Sequence, residues 1–489
     1  MIDKIIEILT YNPESPLLFN TGLFLILFAG FMAVYELLRH HAVAKMVFTI
    51  LFSLYFYYKS SSNYCLILIG ICFSDYILGL LMGSTTTKIY RKGIIVLNIA
   101  INLGLLIYFK YFNLLLQTWA EMRGESFDAL NIILPAGISF FTFRSISYIV
   151  DIYRGQIEPE KNFLHYMFFL TFFPPLLAGP VVRAKDMLQQ IKKNPVADSQ
   201  MIGQGLFLIM CGLIKKVVIA DYISGNFVNR VFDNPALYSG FENVMACVGF
   251  TIQLYCDFSG YSDMAIGIAL LLGYKFLDNF RAPFKSQNST EFWHRWHISL
   301  STWLRDYIYI PLGGSRKGPF RTYLNNFITM LIGGLWHGAS WMFLLWGAYH
   351  GILLAVHKAS KQFWKLPETL KDSLLIKGVN VSVTFIFVVI GFAIFRADSI
   401  ETLQSIGTQI FNDFHASVAP QFIESYLLIV LAIAGALCVH YTPRSWSSNL
   451  AEAYISTPVI FQGLMLAAVL FLVIQASASD IVPFIYLQY

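Results

Sequence analysis

Apolar residues run along this chain in long blocks, and polar residues are gathered into the short gaps between them. A helix that crosses a bilayer needs about 20 mostly apolar residues. Blocks of that kind lie at 17–38, 43–58, 63–82, 93–117, 131–151, 201–222, 243–273, 379–396, 424–441 and 457–476. Residues 163–180, FLHYMFFLTFFPPLLAGP, are broken by Pro174-Pro175 and by Gly179-Pro180. Proline removes a backbone donor and collides with the preceding turn, so this segment is expected to re-enter the membrane without crossing it. Residues 324–357 suit a short hairpin, with Gly333-Gly334 and Gly338 expected to interrupt it. The pattern predicts an all-α polytopic membrane protein with about 10–12 transmembrane helices plus re-entrant segments.

Lysine and arginine fill alternate gaps: Arg39 and Lys45, then Lys88, Arg91 and Lys92, then Arg183, Lys185, Lys192 and Lys193. Residues 275–321 and the lysines Lys358, Lys361, Lys365, Lys371 and Lys377 continue the series. The positive-inside bias makes these segments cytoplasmic and leaves both termini outside. Composition agrees. The chain is 56% hydrophobic and 13% charged, with mean hydropathy +0.60, whereas a soluble domain carries about 25% charged residues. A net charge of +5 then sets orientation, and no nucleic-acid partner is expected. Residues 1–15 have no basic, signal-like start, so the first spanning helix is expected to direct its own insertion. Cys65, Cys72, Cys211, Cys247, Cys256 and Cys438 are scattered through apolar stretches. They form neither a disulfide framework nor a zinc motif.

Against this background two segments stand out: EFWHRWHISLSTWLRDYIYIPLGGSRKG at 291–318 and LWHGAS at 335–340. His337 sits in an apolar run, where an imidazole is costly unless it has a partner or a task. The small residues Gly338 and Ala339 beside it are expected to leave room for a ligand, and His337 is a candidate general base. His294 and His297 are three apart, hence on one face if the segment is helical. No third ligand completes a metal set there, so no metal is expected. Trp293, Trp296 and Trp303 read either as an interfacial belt or as part of a site. Arg295, Arg305, Arg316 and Lys317 suit a phosphate-rich ligand as well as cytoplasmic retention. The turn PLGGSRKG could form a backbone nest for an anion.

Residues 254–264, LYCDFSGYSDM, place Asp257 and Asp263 in an apolar helix with Tyr255 and Tyr261 close by. Carboxylates at that depth face the bundle interior and pair with a base, for which Arg281, His294 and Arg295 are the candidates. Asn288-Ser289-Thr290 fits a glycosylation pattern, which a cytoplasmic position makes irrelevant.

Taken together, LYCDFSGYSDMAIG, NFRAPFKSQNSTEFWHRWHISLSTWLRDYIYIPLGGSRKG and GGLWHGASWMFLLWGAYHG resemble the membrane-bound O-acyltransferase (MBOAT) superfamily. LPAGISFFTFRSISYIVDIYRG at 134–155 and FFPPLLAGPVVR at 172–183 add to the resemblance. The likeness is to the bacterial branch that contains the alginate O-acetyltransferase membrane subunit. It implies a funnel-shaped helical enzyme over residues 1–489: N-terminal helices at 1–130, a motif-rich catalytic core at 131–357 and C-terminal helices at 358–489. The family's signature histidine maps onto His337 and its second motif position onto His297. Trp303, Arg305 and Asp306 fall in a matching WLRD, while Cys256 stands where an aromatic residue is usual.

The resemblance further implies transfer of an acetyl group from a cytoplasmic thioester, acetyl-CoA, with no bound cofactor. His337 would be the general base and His297 would orient the acceptor or stabilise the oxyanion. His294, Arg295, Trp303, Arg305, Asp306, Asp257 and Tyr255 would bind the donor or support the site. Implied partners are membrane lipids, an exported polysaccharide and a separate extracytoplasmic transferase of the SGNH type; the implied location is the bacterial inner membrane. Two rival readings stay open at this point. One is a D-alanyl, lipid or protein acyltransferase of the same superfamily. The other is a proton-coupled transporter or flippase using Asp257, Asp263 and His337.

Overall fold

The computed structural model describes residues 2–13, 15–363 and 373–476, and every regular element among them is helical. Lys365 and Lys371 of the basic loop lie outside the described residues. A helix occupies each of the apolar blocks. Among the described residues four helical stretches are long and apolar enough to cross a membrane: Ala42–Ser84, Lys88–Arg123, Leu374–Arg396 and Val459–Ala476. The pair Ala416–Ser425 and Leu427–Tyr441 reaches that length only when taken together, and it is bent by 96°. Ser199–Leu213 is an apolar helix that runs into the π-helical turn Ile214–Asp221.

The chain folds as two compact units. The first comprises the residues up to Ile209 together with Met264–Phe276; the second comprises Met210–Asp263 and the described residues from Leu277 onward. The long helix Gly240–Leu271 contributes to each.

In the first unit the segment expected to re-enter is broken just before its prolines. Phe163–Thr171 is helical, and residues 172–183 are not. Irregular backbone is tolerated at such a depth only when protein satisfies its polar groups. Here the buried guanidinium of Arg144 does so, donating to the carbonyls of Phe169 (3.3 Å) and Pro175 (2.8 Å). Gly137, at φ +70°, lets the backbone approach; a Cβ there would lie 2.5 Å from the Leu176 carbonyl oxygen. Phe173 then inserts among Phe24, Phe31, Phe52 and Phe56, with ring centroids 5.1–6.5 Å apart.

In the second unit the dominant feature is a tight hairpin of Pro319–His337 and Trp341–Phe363, turning at Gly338–Ser340. Gly333 and Gly334 do not interrupt the first helix, contrary to the sequence expectation. Glycine in a membrane helix more often permits two backbones to approach, and that is its use here. A Cβ on Gly334 would sit 2.3 Å from the Phe343 carbonyl oxygen, and one on Gly347 would sit 2.5 Å from that of Met330. Gly333 is different: the nearest atom is the flexible Leu304 Cδ1 at 3.1 Å. Gly334→Ala should therefore cost about 1–3 kcal/mol by overpacking against backbone. Gly333→Ala should be close to neutral. Thermal unfolding of the two variants in detergent checks the pair, and equal melting would show that the crossing does not depend on Gly334.

Candidate active site

Residues 289–304 fold as two short helices, Ser289–Arg295 and Ile298–Leu304, joined by Trp296 and His297. Asn288 caps the first through its side-chain oxygen, 2.9 Å from the Glu291 N–H. Between the helices His297 adopts φ 43°, ψ 54°, a left-handed conformation uncommon outside glycine. That residue turns the chain. His294 is exposed and His297 fully buried, so the two do not share a helix face as their spacing suggested. Among the described residues no group of three or more His, Cys, Asp or Glu is placed to hold a metal.

The orientation of His297 is fixed by Asn279. The Asn279 Oδ1 accepts from the Ser299 N–H (3.2 Å) and the Ser299 hydroxyl (2.9 Å), and its amide nitrogen donates to Ser262 Oγ (3.2 Å). A backbone N–H can only donate, so this oxygen is an acceptor. The His297 Nδ1, 3.2 Å from it, must then carry the hydrogen. Nε2 is left as the basic nitrogen of the neutral ring.

His337 ends its helix and is buried among aromatic rings. Its centroid lies 4.9 Å from Trp336, 4.9 Å from Trp346 and 5.3 Å from Phe395. Trp336 in turn meets His297 at 5.9 Å, so one indole touches both histidines. Gly338 does not provide open space beside His337: a Cβ there would fall 2.0 Å from the Phe343 ring. The glycine seats Phe343 and closes the turn. Trp293, Trp296 and Trp303 are likewise buried, which rules out an exposed interfacial belt for them. Trp303 packs on Tyr307 at 5.0 Å.

The remaining candidates are held in ion pairs, exposed, or packed against rings. Asp257 is held by Lys216 Nζ at 2.8 Å, and Lys216 also binds Asp221 at 2.7 Å. Asp263 is held by Lys215 at 2.7 Å. The bases are thus consecutive lysines, not Arg281, His294 or Arg295. Arg295 pairs with Glu291 (2.8 Å) and donates to the Arg281 carbonyl (3.1 Å), while Arg305 pairs with Asp306 (2.7 Å). Arg316 and Lys317 are exposed, on a turn that Asn325 braces by donating to the Gly314 carbonyl at 2.9 Å. Tyr255 packs edge-on against Phe284 (5.2 Å) and His440 (5.0 Å).

Two buried histidines were missed in the sequence. His440 accepts from the Phe284 N–H at 3.0 Å and is structural. His350 lies 4.8 Å from Trp346, the same indole that meets His337 at 4.9 Å. Both sit in apolar runs, ALCVHY and GAYHG, so the signal that marked His337 was present for them too.

The model of the MBOAT, membrane-bound O-acyltransferase family, matches residues 153–396. The chain is 35% identical to a Pseudomonas putida protein named probable alginate O-acetylase AlgI, over 97% of this chain and 100% of that one. It is 40% identical to the protein of the same name from Pseudomonas aeruginosa, over 79% of this chain and 73% of that one. A Helicobacter pylori peptidoglycan O-acetyltransferase is 37% identical, over 79% and 78%.

Proposed function

We propose, for a chain that belongs to the membrane-bound O-acyltransferase family, that the group it transfers is acetyl and that the acceptor route leads to an exported polysaccharide. The family and the multi-pass membrane character make it a membrane O-acyltransferase. The finer reading is carried by one observation: a likeness to alginate O-acetylases that runs the length of the chain. The donor would be a cytoplasmic thioester, acetyl-CoA, and the membrane the bacterial inner membrane. A separate SGNH-type transferase would complete delivery to the glycan.

The chemistry suits the two buried histidines. The acceptor hydroxyl oxygen attacks the thioester carbonyl carbon while His337 takes the hydroxyl proton; the tetrahedral adduct collapses, the C–S bond breaks, and the thiolate leaves with the proton returned by the imidazolium. A thioester is already activated, so positioning and proton transfer carry most of the work. The aromatic surround of His337 excludes the water that would waste the donor. For His297 the tautomer matters. With Nδ1–H directed at Asn279, Nε2 accepts, so the neutral ring would orient the attacking hydroxyl; it has no N–H left there for an oxyanion. Arg316 and Lys317, exposed and on the basic side, suit the donor's phosphates better than Arg295 and Arg305, which are held in ion pairs.

The test is purified protein in nanodiscs given acetyl-CoA labelled in the acetyl group, following free CoA and the fate of the label. Turnover with label passed to the partner or glycan is the expected result. Turnover only with a D-alanyl thioester on a carrier protein would replace the acetyl reading, and translocation without thioester consumption would replace both. In the same assay Asn279→Ala should lower kcat about 10- to 100-fold, the usual cost of losing a partner that orients a histidine. Asn279→Asp, which keeps an acceptor facing Nδ1, should recover much of that loss; identical behaviour of the two variants would remove Asn279 from this role.

A further inference from the structure

Within a membrane-length stretch of the first unit stands a carboxylate with no cation. Asp75 lies in the helix Cys65–Ser84, part of Ala42–Ser84, and is inaccessible. An ionised carboxylate at such a depth is expensive unless its charge is met. In the long helix Gly240–Leu271 lysines meet it, Lys216 at Asp257 and Lys215 at Asp263. Among the described residues Asp75 has only neutral partners. The Asn98 amide nitrogen donates to its Oδ1 at 2.7 Å, and the Tyr166 hydroxyl donates to its Oδ2 at 2.8 Å. The buried guanidinium of Arg144, in the same unit, is taken up by the carbonyls of Phe169 and Pro175. None of these residues belongs to the candidate active site.

Further oxygens gather around this carboxylate. Ser145 Oγ accepts from the amide nitrogens of Asn98 at 3.2 Å and Asn102 at 2.8 Å, and the same side chain hydrogen-bonds Asp75. Asn98, Asn102 and Ser145 are all buried. The amide oxygens of Asn98 and Asn102 have no hydrogen-bond partner among the described residues. Buried polar atoms are rarely left so. An amide turns end for end by rotation about one side-chain bond. Turned over, both amides would bring oxygen to the places their nitrogens hold now, beside the Asp75 carboxylate and the Ser145 hydroxyl. The Asn98 carbonyl, 3.0 Å from the Asn102 nitrogen, would be a further oxygen there.

We infer that Asp75, Asn98, Asn102 and Ser145 bind one sodium ion. A carboxylate, two amide oxygens and a hydroxyl are hard oxygen ligands, the kind that alkali and alkaline-earth cations take. Charge selects between those two groups. One carboxylate among neutral ligands balances a single positive charge, whereas a calcium ion would leave a net charge buried in the bilayer. Spacing selects within the alkali ions: polar atoms 2.7–3.2 Å apart leave little room and favour sodium over the larger potassium. A proton on Asp75 would also cancel the charge. It would give a partner to one amide oxygen at most, and the other would stay unpaired. The ion would join the helices Cys65–Ser84, Lys88–Leu106 and Ile138–Tyr153, so its binding should stabilise the fold by mass action.

The experiment melts the full chain in detergent across a sodium chloride series, with choline chloride holding the ionic strength constant. Expected is a melting temperature that rises with sodium by several degrees and then saturates, with potassium weaker, and saturable binding of radioactive sodium by the same samples. Asp75→Asn keeps the shape but sheds the unmet charge. It should lose the sodium response and melt in choline no lower than the parent. Asn102→Ala keeps the carboxylate and removes one oxygen, and should raise the half-saturating sodium concentration about tenfold. Equal melting in sodium and choline would overturn the proposal, as would a sodium response that survives in a folded Asp75→Asn protein. Unchanged half-saturation in Asn102→Ala would do the same. So would a melting temperature that falls as pH rises equally in both salts, the mark of a proton held on Asp75. Acyl transfer is not the readout, so failure here leaves that reading standing, and the reverse.

Discussion

His337→Ala should lower acyl transfer about 10²- to 10⁴-fold, the range that a positioned general base contributes, while leaving the protein inserted and folded. The ring is replaced by a small apolar group in a pocket of Trp336, Trp346 and Phe395. The change adds no polar atom to that apolar surround, so the expected stability loss is modest beside the loss of turnover. His294→Ala is the internal control: it lies in the same motif but is exposed, and its turnover should stay near that of the parent. His297→Ala should fall between them, since a ring that orients a hydroxyl loses less than the group that takes its proton. Release of CoA from labelled donor, with thermal unfolding measured on the same samples, checks all three. Undiminished transfer by a folded His337→Ala protein would remove His337 from the chemistry and shift attention to Nε2 of His297.

The helical class and the helix break before Pro174-Pro175 were legible because they rest on local physics. Pro174-Pro175 cannot continue a helix, and apolar blocks of membrane length have few other fates. The burial of His337 in an apolar surround was legible for the same reason, since an imidazole stands there in an apolar run. What the sequence hid depends on neighbours far along the chain. The spacing of His294 and His297 promised a shared face, but it assumed a helix through a residue that takes φ 43°. Gly338 does end its helix, but Gly333-Gly334 read as a break and lie inside it, Gly334 because the Phe343 carbonyl needs the space. The three tryptophans of the motif could be read as belt or site, and only burial decided between them. The partners of Asp257 and Asp263 could have been found. Lys215 and Lys216 stand in the apolar block 201–222, and a cation there calls for a carboxylate as much as the reverse.

That pair carries the other large expected effect. Lys216→Met should destabilise the second unit by about 3–5 kcal/mol, the usual cost of removing one member of a buried ionic cluster. Lys216 is nearly inaccessible and sits between two carboxylates, Asp221 at 2.7 Å and Asp257 at 2.8 Å. The π-helical turn Ile214–Asp221 makes this possible. Residues five apart on an ordinary α-helix point about 140° apart, and the wider turn brings Lys216 and Asp221 toward one side. Consecutive lysines then diverge, Lys216 to Asp257 and Lys215 to Asp263. Gly260 lets this turn sit close against Gly240–Leu271, for a Cβ there would lie 2.8 Å from the Gly212 carbonyl oxygen. With methionine at 216 the two carboxylates would face one another without a cation, and both cannot stay ionised at that depth. The measurement is thermal unfolding in detergent of Lys216→Met beside the triple variant Lys216→Met, Asp221→Asn, Asp257→Asn. Methionine occupies nearly the volume of lysine, and asparagine that of aspartate, so the triple variant should recover a large part of the loss. If instead the single variant melts with the parent, the cluster adds nothing to stability. If the triple variant melts no higher than the single one, the loss comes from packing and not from stranded charge.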